Sequence, residues 1–258
     1  MPDLHATAIV EAKARLGRNV RVGAYSMVGP DVVLEDDVEI GAHVVVTGRT
    51  TVGPRTRIFP FTAIGGDPQD KTFAGESTEL VIGSDNVIRE HVTIHVGTPR
   101  GGGSTRIGDD NLIMNSIHIG HDCRVGSHCI FAAFTGLAGH VVIEDYAVLG
   151  AYTGVHQYAR VGESVMAAAN AKISKDCAPF SLIAGDRARL VGVNTVGLKR
   201  RGFSAEVMRE VRNAFHVLFF SKLRFETALA RVRESAAGSA EVQRLIAFLE
   251  KSERGFTR

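Results

Sequence analysis

Residues 119–124, 137–142 and 155–160 read Ile-Gly-His-Asp-Cys-Arg, Leu-Ala-Gly-His-Val-Val and Val-His-Gln-Tyr-Ala-Arg. Each segment opens on an aliphatic residue, and each starts eighteen residues after the one before. A backbone that coils once every eighteen residues would stack His121, Gly139 and Gln157 on one edge. His118, His140 and His156 fall close to the same column. Imidazoles gathered on a repetitive scaffold mark the place to look for chemistry.

The same phase extends far beyond these segments. An aliphatic residue recurs every six positions from Val10 to Ile64, from Ile82 to Ile94, and from Ile107 to Ile173. Of those twenty-five positions, only Phe131 and Ala167 are not Ile, Leu or Val. A period of six is neither the 3.6 of a helix nor the alternation of a simple strand. It fits a parallel β-helix in which each hexad is a short strand plus a corner and three hexads make one coil. Glycine often follows the aliphatic residue, as at Gly17, Gly23 and Gly126, which suggests corners that need positive φ. The fifth hexad position is mostly small or β-branched, and all three cysteines, Cys123, Cys129 and Cys177, occupy it. They read as interior corner residues rather than redox or metal groups.

Two interruptions leave the coil, residues 65–81 (GGDPQDKTFAGESTELV) and 97–106 (GTPRGGGSTR), both rich in turn formers. They are expected to form arms that shape a cleft. The repeat ends near Pro179. Beyond it, Ser204 is a plausible N-cap for a helix from Ala205 to about Lys222, with further helices near 225–235 and from Ser239 to about Lys251. The expected organisation is a mainly β chain: a left-handed parallel β-helix over 1–190, then a small α-helical domain over 191–258.

The formal net charge of +2 is too small to suggest nucleic acid as the main partner. From residue 190 onward 13 Lys and Arg stand against 7 Asp and Glu, a surface suited to an acidic partner or to phosphates. No window approaches the eighteen apolar residues of a membrane span, and the N-terminus lacks the pattern of a secretion signal. With an odd number of cysteines, this points to a reducing cytoplasm.

His121 is the candidate general base, and Asp122 beside it would orient the imidazole and stabilise its protonated form. Gly139, one coil above, would offer a backbone N–H to a developing oxyanion. No serine or cysteine nucleophile shares the column, so an acceptor hydroxyl attacks directly and no covalent enzyme intermediate forms. A competing reading is a zinc site, with His118, His121 and His140 as nitrogen ligands. Lys199-Arg200-Arg201-Gly202 reads as a diphosphate clamp, with Arg209 and Arg212 extending the basic face towards a carrier protein. A non-catalytic β-helical scaffold would explain the repeat but not the histidines.

The segments HIGHDC (118–123), LAGH (137–140), VHQY (155–158) and VNTVGLKRRGFS (193–204) carry a resemblance over essentially the full length. The loops PQD…AGE (68–76) and GTPRGGGST (97–105) share it. The chain resembles the UDP-N-acetylglucosamine O-acyltransferases of lipid A biosynthesis, a branch of the hexapeptide-repeat acyltransferases. The resemblance implies transfer of an R-3-hydroxyacyl group from acyl carrier protein to the glucosamine 3-hydroxyl of UDP-GlcNAc, without a cofactor. It implies a homotrimer whose active sites lie between subunits. His121 would be the base, with Asp122 and Gly139 in the roles above. His118, His140, His156 and Gln157 would line the nucleotide-sugar and acyl pocket. Asn194, Arg200 and Arg201 would hold uridine and phosphates, and Gln69 and Asp70 would contact the sugar from a neighbouring subunit. Ala169 would limit acyl-chain length, standing where the family carries a glycine. The chain also departs from the family pattern at Thr72 (for lysine), Arg187 (for histidine) and Val196 (for an acidic residue). Transfer to the amine of a UDP-3-amino sugar, and a zinc-dependent carbonic anhydrase of the same fold, remain the alternatives.

Overall fold

Every aliphatic position of the hexad phase lies in a short strand, and from Val22 to Ile173 all of them are buried. The structure, a computed structural model, describes residues 1–235 and 238–258. Its strands form three sheets of eleven, nine and eight members, and successive coils pair in parallel. These are the three faces of a left-handed parallel β-helix. The register is eighteen residues where no loop intervenes: His118, Gly136, Gly154 and Lys172 form one row on the nine-stranded face. Aliphatic side chains on each strand point inward and stack from coil to coil, which gives one continuous apolar column. Burying each contributes roughly 1.5–3 kcal/mol. The three cysteines sit in this column, and burial pushes each thiol up to about 12. They are inert corner residues, as the sequence indicated.

The corners differ from expectation in one respect. Gly17, Gly23 and Gly126 do not have positive φ; that conformation belongs to non-glycine residues two places later, such as Asn19, Tyr25 and His128. Glycine is needed instead because the next coil passes too close. A Cβ on Gly17 would lie 2.6 Å from the Asp36 nitrogen, and one on Gly23 would lie 2.7 Å from the Gly41 carbonyl carbon.

Both insertions leave from the same corner, between the nine- and eight-stranded faces, in successive coils. The first falls between the strands Ala63–Gly66 and Glu79–Ile82, the second between Thr93–His95 and Ser104–Ile107. The second holds a short 3-10 turn, Pro99–Gly101. The corner one coil above them carries His121 and Asp122.

At the C-terminal end the last strand, Arg189–Val193, turns back antiparallel on Ser181–Ala184, so sheet structure runs past the expected boundary at 190. Among the described residues four α-helices follow: α1 (Thr195–Arg200), α2 (Ala205–Phe215), α3 (Phe225–Ser235) and α4 (Ala240–Glu250). Ser204 caps α2 by accepting the Val207 N–H at 3.2 Å, as expected, and the chain continues through one π-turn at His216–Phe220. α1 was not foreseen; it places Lys199 and Arg200 in a helical last turn rather than a loose basic turn. A second apolar cluster forms among α1–α4, and Leu190 packs against both clusters. The tail then returns to the β-helix, where Phe256 bridges Asp176.

Candidate active site

Asp122 sits third after Ile119, in the slot with φ +61°, and its side chain is fully buried. A buried carboxylate is costly unless its lone pairs are satisfied. The second insertion satisfies them: the Thr98 N–H donates to Oδ1 at 2.8 Å and the Thr98 hydroxyl donates to Oδ2 at 2.7 Å. The Asp122 N–H in turn donates to the Thr105 hydroxyl at 2.8 Å. Gly101 closes the bracket, because a Cβ there would fall inside the carboxylate. None of Thr98, Gly101 or Thr105 was singled out from sequence, although all lie in the Gly-rich insertion whose composition marked it.

His121 Nδ1 lies 2.8 Å from Asp122 Oδ2. An ionised carboxylate only accepts, so Nδ1 carries the proton and Nε2 keeps its lone pair free. His140 stands edge-on to His121, with ring centroids 5.1 Å apart, and stacks on Tyr158 at 4.4 Å. Burial holds the His140 pKa below the usual histidine value against the pull of Asp122, with His121 adding to the lowering. His118 is lowered as well, by burial first and then by His95 and His121; Thr93 Oγ1 lies 2.9 Å from its Nδ1. Both rings are therefore neutral near pH 7. His95, one coil below and missed in the sequence, tilts against His118 at 5.3 Å and is anchored to the Asp67 carbonyl.

Gly139 packs against the His121 ring. A Cβ there would lie 2.6 Å from Cε1 and 2.7 Å from Nε2, so glycine is what lets the imidazole sit where it does. Among the described residues no acceptor meets the Gly139 N–H. His121, Asp122 and His140 also bring one donor atom each within 4.8 Å, close enough for a metal ion. The Asp122 oxygens, however, are already engaged by Thr98 and His121, as in a hydrogen-bonded orienting pair.

From the first insertion, Asp70 accepts the Thr72 N–H at 2.8 Å and the Thr72 hydroxyl at 2.9 Å. These bonds hold its carboxyl below the usual range, with smaller help from His121 and Arg100. Asp70 thus lies in electrostatic reach of His121 within one protomer, where the sequence reading had placed it across a subunit boundary. Gln69, beside it, is exposed in the same loop.

A groove of about 710 Å³ runs up the nine-stranded face from His118 over Gly136 and Gly154 to Lys172, Ser174 and Arg187, with His156 on its rim. The two glycines keep its floor low: a Cβ on Gly136 would meet nothing within 4 Å, and one on Gly154 would meet only Lys172 Cδ at 3.6 Å. Lys172 lies over the upper end. Ala169 is an exposed corner residue and does not line this groove. His156 and Gln157 are exposed, and the returning tail brings Arg254 to His156, with its guanidinium 3.3 Å from Nδ1.

Three expected residues lie elsewhere in the protomer. Asn194 caps α1 by accepting the Gly197 N–H, and it donates to the Ser164 carbonyl at 2.9 Å. Arg201 is 2.7 Å from Glu163 and lies 3.6 Å over the Tyr146 ring. Tyr146 and Ser164 belong to the corner between the eight- and eleven-stranded faces, not to the His121 corner. Arg200, the neighbour of Arg201 in sequence, is exposed.

Residues 176–257 match a family described as Udp N-acetylglucosamine O-acyltransferase, domain 2. Residues 13–48 and 104–139 match the bacterial transferase hexapeptide family. A relative from Herminiimonas arsenicoxydans is 47% identical over 262 residues, covering 100% of both chains. One from Myxococcus xanthus is 47% identical over 258 residues, again covering 100% of both. Both are named acyl-[acyl-carrier-protein]–UDP-N-acetylglucosamine O-acyltransferase. Among solved structures, the UDP-N-acetylglucosamine acyltransferase of Francisella novicida aligns with a TM-score of 0.96 at 36% identity, over 99% of this chain and 94% of that one. The Arabidopsis enzyme aligns with a TM-score of 0.88 at 31% identity, over 99% and 100%.

Proposed function

The chain belongs to the acyl-[acyl-carrier-protein]–UDP-N-acetylglucosamine O-acyltransferase family, and from that premise we propose how its residues carry out the reaction. The protein is an acyltransferase that moves an R-3-hydroxyacyl group from acyl carrier protein to the 3-hydroxyl of UDP-GlcNAc, the first step of lipid A biosynthesis. The observation that carries the mechanism is the His121–Asp122 pair, with Nδ1 tied to a buried carboxylate and Nε2 without a hydrogen-bond partner among the described residues.

His121 Nε2 takes the proton of the sugar 3-hydroxyl as its oxygen attacks the thioester carbonyl. The tetrahedral oxyanion receives the Gly139 N–H. Collapse breaks the carbon–sulfur bond, and the imidazolium returns its proton to the leaving thiolate. Asp122 stabilises the imidazolium in between, held in place by the two hydrogen bonds that Thr98 donates to it. No group of the enzyme is acylated. His118 and His140, both neutral, line the sugar pocket with Asp70 and Gln69 at its lower edge.

The acyl chain lies in the groove above His118. Three inter-strand steps separate His118 from Lys172, about 14 Å, which an extended chain covers in roughly ten to twelve carbon–carbon bonds. Lys172 and Arg187 therefore close the path, while Ala169 acts as a chain ruler only if its corner meets the acyl terminus from a neighbouring subunit. The separation of Asn194, Arg200 and Arg201 from His121 within a protomer supports a homotrimer in which these residues complete a neighbour's site around uridine and diphosphate, while His156 and Gln157 line that site from the His121 corner. Among the described residues no helix is long and apolar enough to cross a membrane. A cytoplasmic setting fits a substrate delivered by acyl carrier protein. The amide-forming and zinc-dependent alternatives gain nothing from relatives named for O-acyl transfer.

The test is product analysis. Protein incubated with UDP-GlcNAc, its 3-amino analogue and a ladder of hydroxyacyl carriers should give a 3-O-ester, with donors near ten to twelve carbons preferred. Faster acylation of the amino analogue, read by mass spectrometry, would overturn the acceptor assignment.

A further inference from the structure

Glu163 is buried, 8% exposed, on the corner between the eight- and eleven-stranded faces, and it holds two arginines from the helical domain. One oxygen meets Arg201 at 2.7 Å, and the other meets Arg244 from α4. Arg201 also donates to the Ser164 hydroxyl through the same Nη1 nitrogen and lies over the Tyr146 ring. Glu163, Arg201, Arg244 and Tyr146 line a cleft of about 510 Å³ together with Glu144 and Asp145. Arg201 is one of the two arginines assigned above to the nucleotide diphosphate. Among the described residues only Nη1 of its guanidinium is engaged by a hydrogen bond or ion pair, so Nε and Nη2 remain available to a second anion. A carboxylate at 2.7 Å nevertheless cancels much of the charge that a diphosphate would use.

We propose that Glu163 is a positioning residue that acts through Arg201: it presents the guanidinium edge to the diphosphate of the nucleotide sugar and lowers the affinity of that contact. Arg244 sets the strength of the effect by sharing the carboxylate. The proposal rests on the reading of Arg201 as a diphosphate ligand. Its consequence is a weaker hold on substrate and on the nucleotide-bearing product alike. A bracing network and a tuning network predict opposite signs. Were the three residues only a brace between β-helix and helices, loss of any member would loosen Arg201 and raise KM. As a tuning network, loss of Glu163 strengthens the diphosphate contact, whereas loss of Arg244 leaves Glu163 wholly to Arg201 and weakens it.

The experiment measures KM for UDP-GlcNAc and kcat, at saturating acyl carrier protein, for the full-length wild type and four variants. Arg201→Gln should raise KM. Glu163→Gln should lower KM about three- to tenfold, with kcat changing less, the range expected of a half-buried charged contact. Arg244→Gln should raise KM, and Glu163→Gln/Arg201→Gln should match Arg201→Gln alone. Should Glu163→Gln fail to fold, Glu163→Asp, with its shorter arm, should lower KM by a smaller factor. If Arg201→Gln leaves KM unchanged, the diphosphate reading is wrong and the proposal goes with it. If Arg201→Gln raises KM but Glu163→Gln raises it too, or lowers it equally without Arg201, the proposal alone is wrong.

Discussion

The nine-stranded face is bounded by two corners built on the same backbone, and they have become different things. On the corner shared with the eleven-stranded face, the positive-φ slot carries Tyr25, His43, Phe61 and His91, stacked ring on ring at 5.1–5.2 Å, with Phe134 on Tyr152 at 4.8 Å above. Tyr25 and Phe61 are more than half exposed. On the other corner the same slot carries Asp122, His140 and Tyr158. There Asp122 is buried and its carboxylate accepts three short hydrogen bonds, two from Thr98 and one from His121. The backbone is common to both corners; the insertions are not. Both loops leave the coil below the His121 corner, and the second folds over Asp122. A regular scaffold thus supplies the stacking, and an interruption of its regularity supplies the burial that makes a carboxylate useful to an imidazole.

Changes that return the His121 corner to the state of the aromatic one should cost most. Asp122→Asn keeps the shape but removes the charge that fixes the His121 tautomer; kcat should fall about 100- to 1000-fold in a steady-state assay. Gly139→Ala forces a methyl group to within 2.6 Å of the imidazole and should lower kcat about 10- to 100-fold. Because the clash is with one side chain, its melting temperature should stay within a few degrees of wild type. Thr98→Val leaves Asp122 with one donor fewer. The expected loss is about tenfold in kcat/KM and roughly 1–3 kcal/mol in denaturant-measured stability, and a silent variant would show that the bracket does not matter.

The smallest effect concerns pH. The folded pKa values of His118 and His140 are lowered by burial, so the unfolded chain binds protons first as pH falls. Stability should therefore be full above the unfolded value of about 6.5 and decline as pH drops through that value towards the folded ones. Glu144, raised by burial, works in the opposite sense at the acid end. Comparing the melting temperature of His118→Asn/His140→Asn with wild type between pH 5 and 7.5 isolates the histidines. The double variant should show the flatter profile.

Much of this was legible from phase alone. Once the coil is eighteen residues long, His121 and Gly139 must be neighbours, and His43 and His91 fall out of the column because they follow Ile40 and Ile88 rather than a strand of the nine-stranded face. The helical caps at Ser204 and the inert cysteines were legible for the same local reasons. What the phase could not carry is the path of an insertion: nothing periodic says that Thr98 returns to Asp122 or that Asp70 lies near His121 of its own chain. Nor could it foresee Arg254, brought to His156 by a tail that pairs with the β-helix 80 residues earlier in the chain, beside Thr257 and Cys177. Glu163 was invisible for another reason. A lone acid in a corner looks solvated until the arginines of a separate domain close on it.

The most direct measurement is the single-turnover rate of His121→Ala with saturating UDP-GlcNAc and hydroxyacyl carrier protein, with its assembly state checked by sedimentation. A correctly assembled variant should turn over at least about 100-fold more slowly than wild type. Equal rates in an equally assembled protein would contradict the assignment of His121 as the base that takes the sugar's proton.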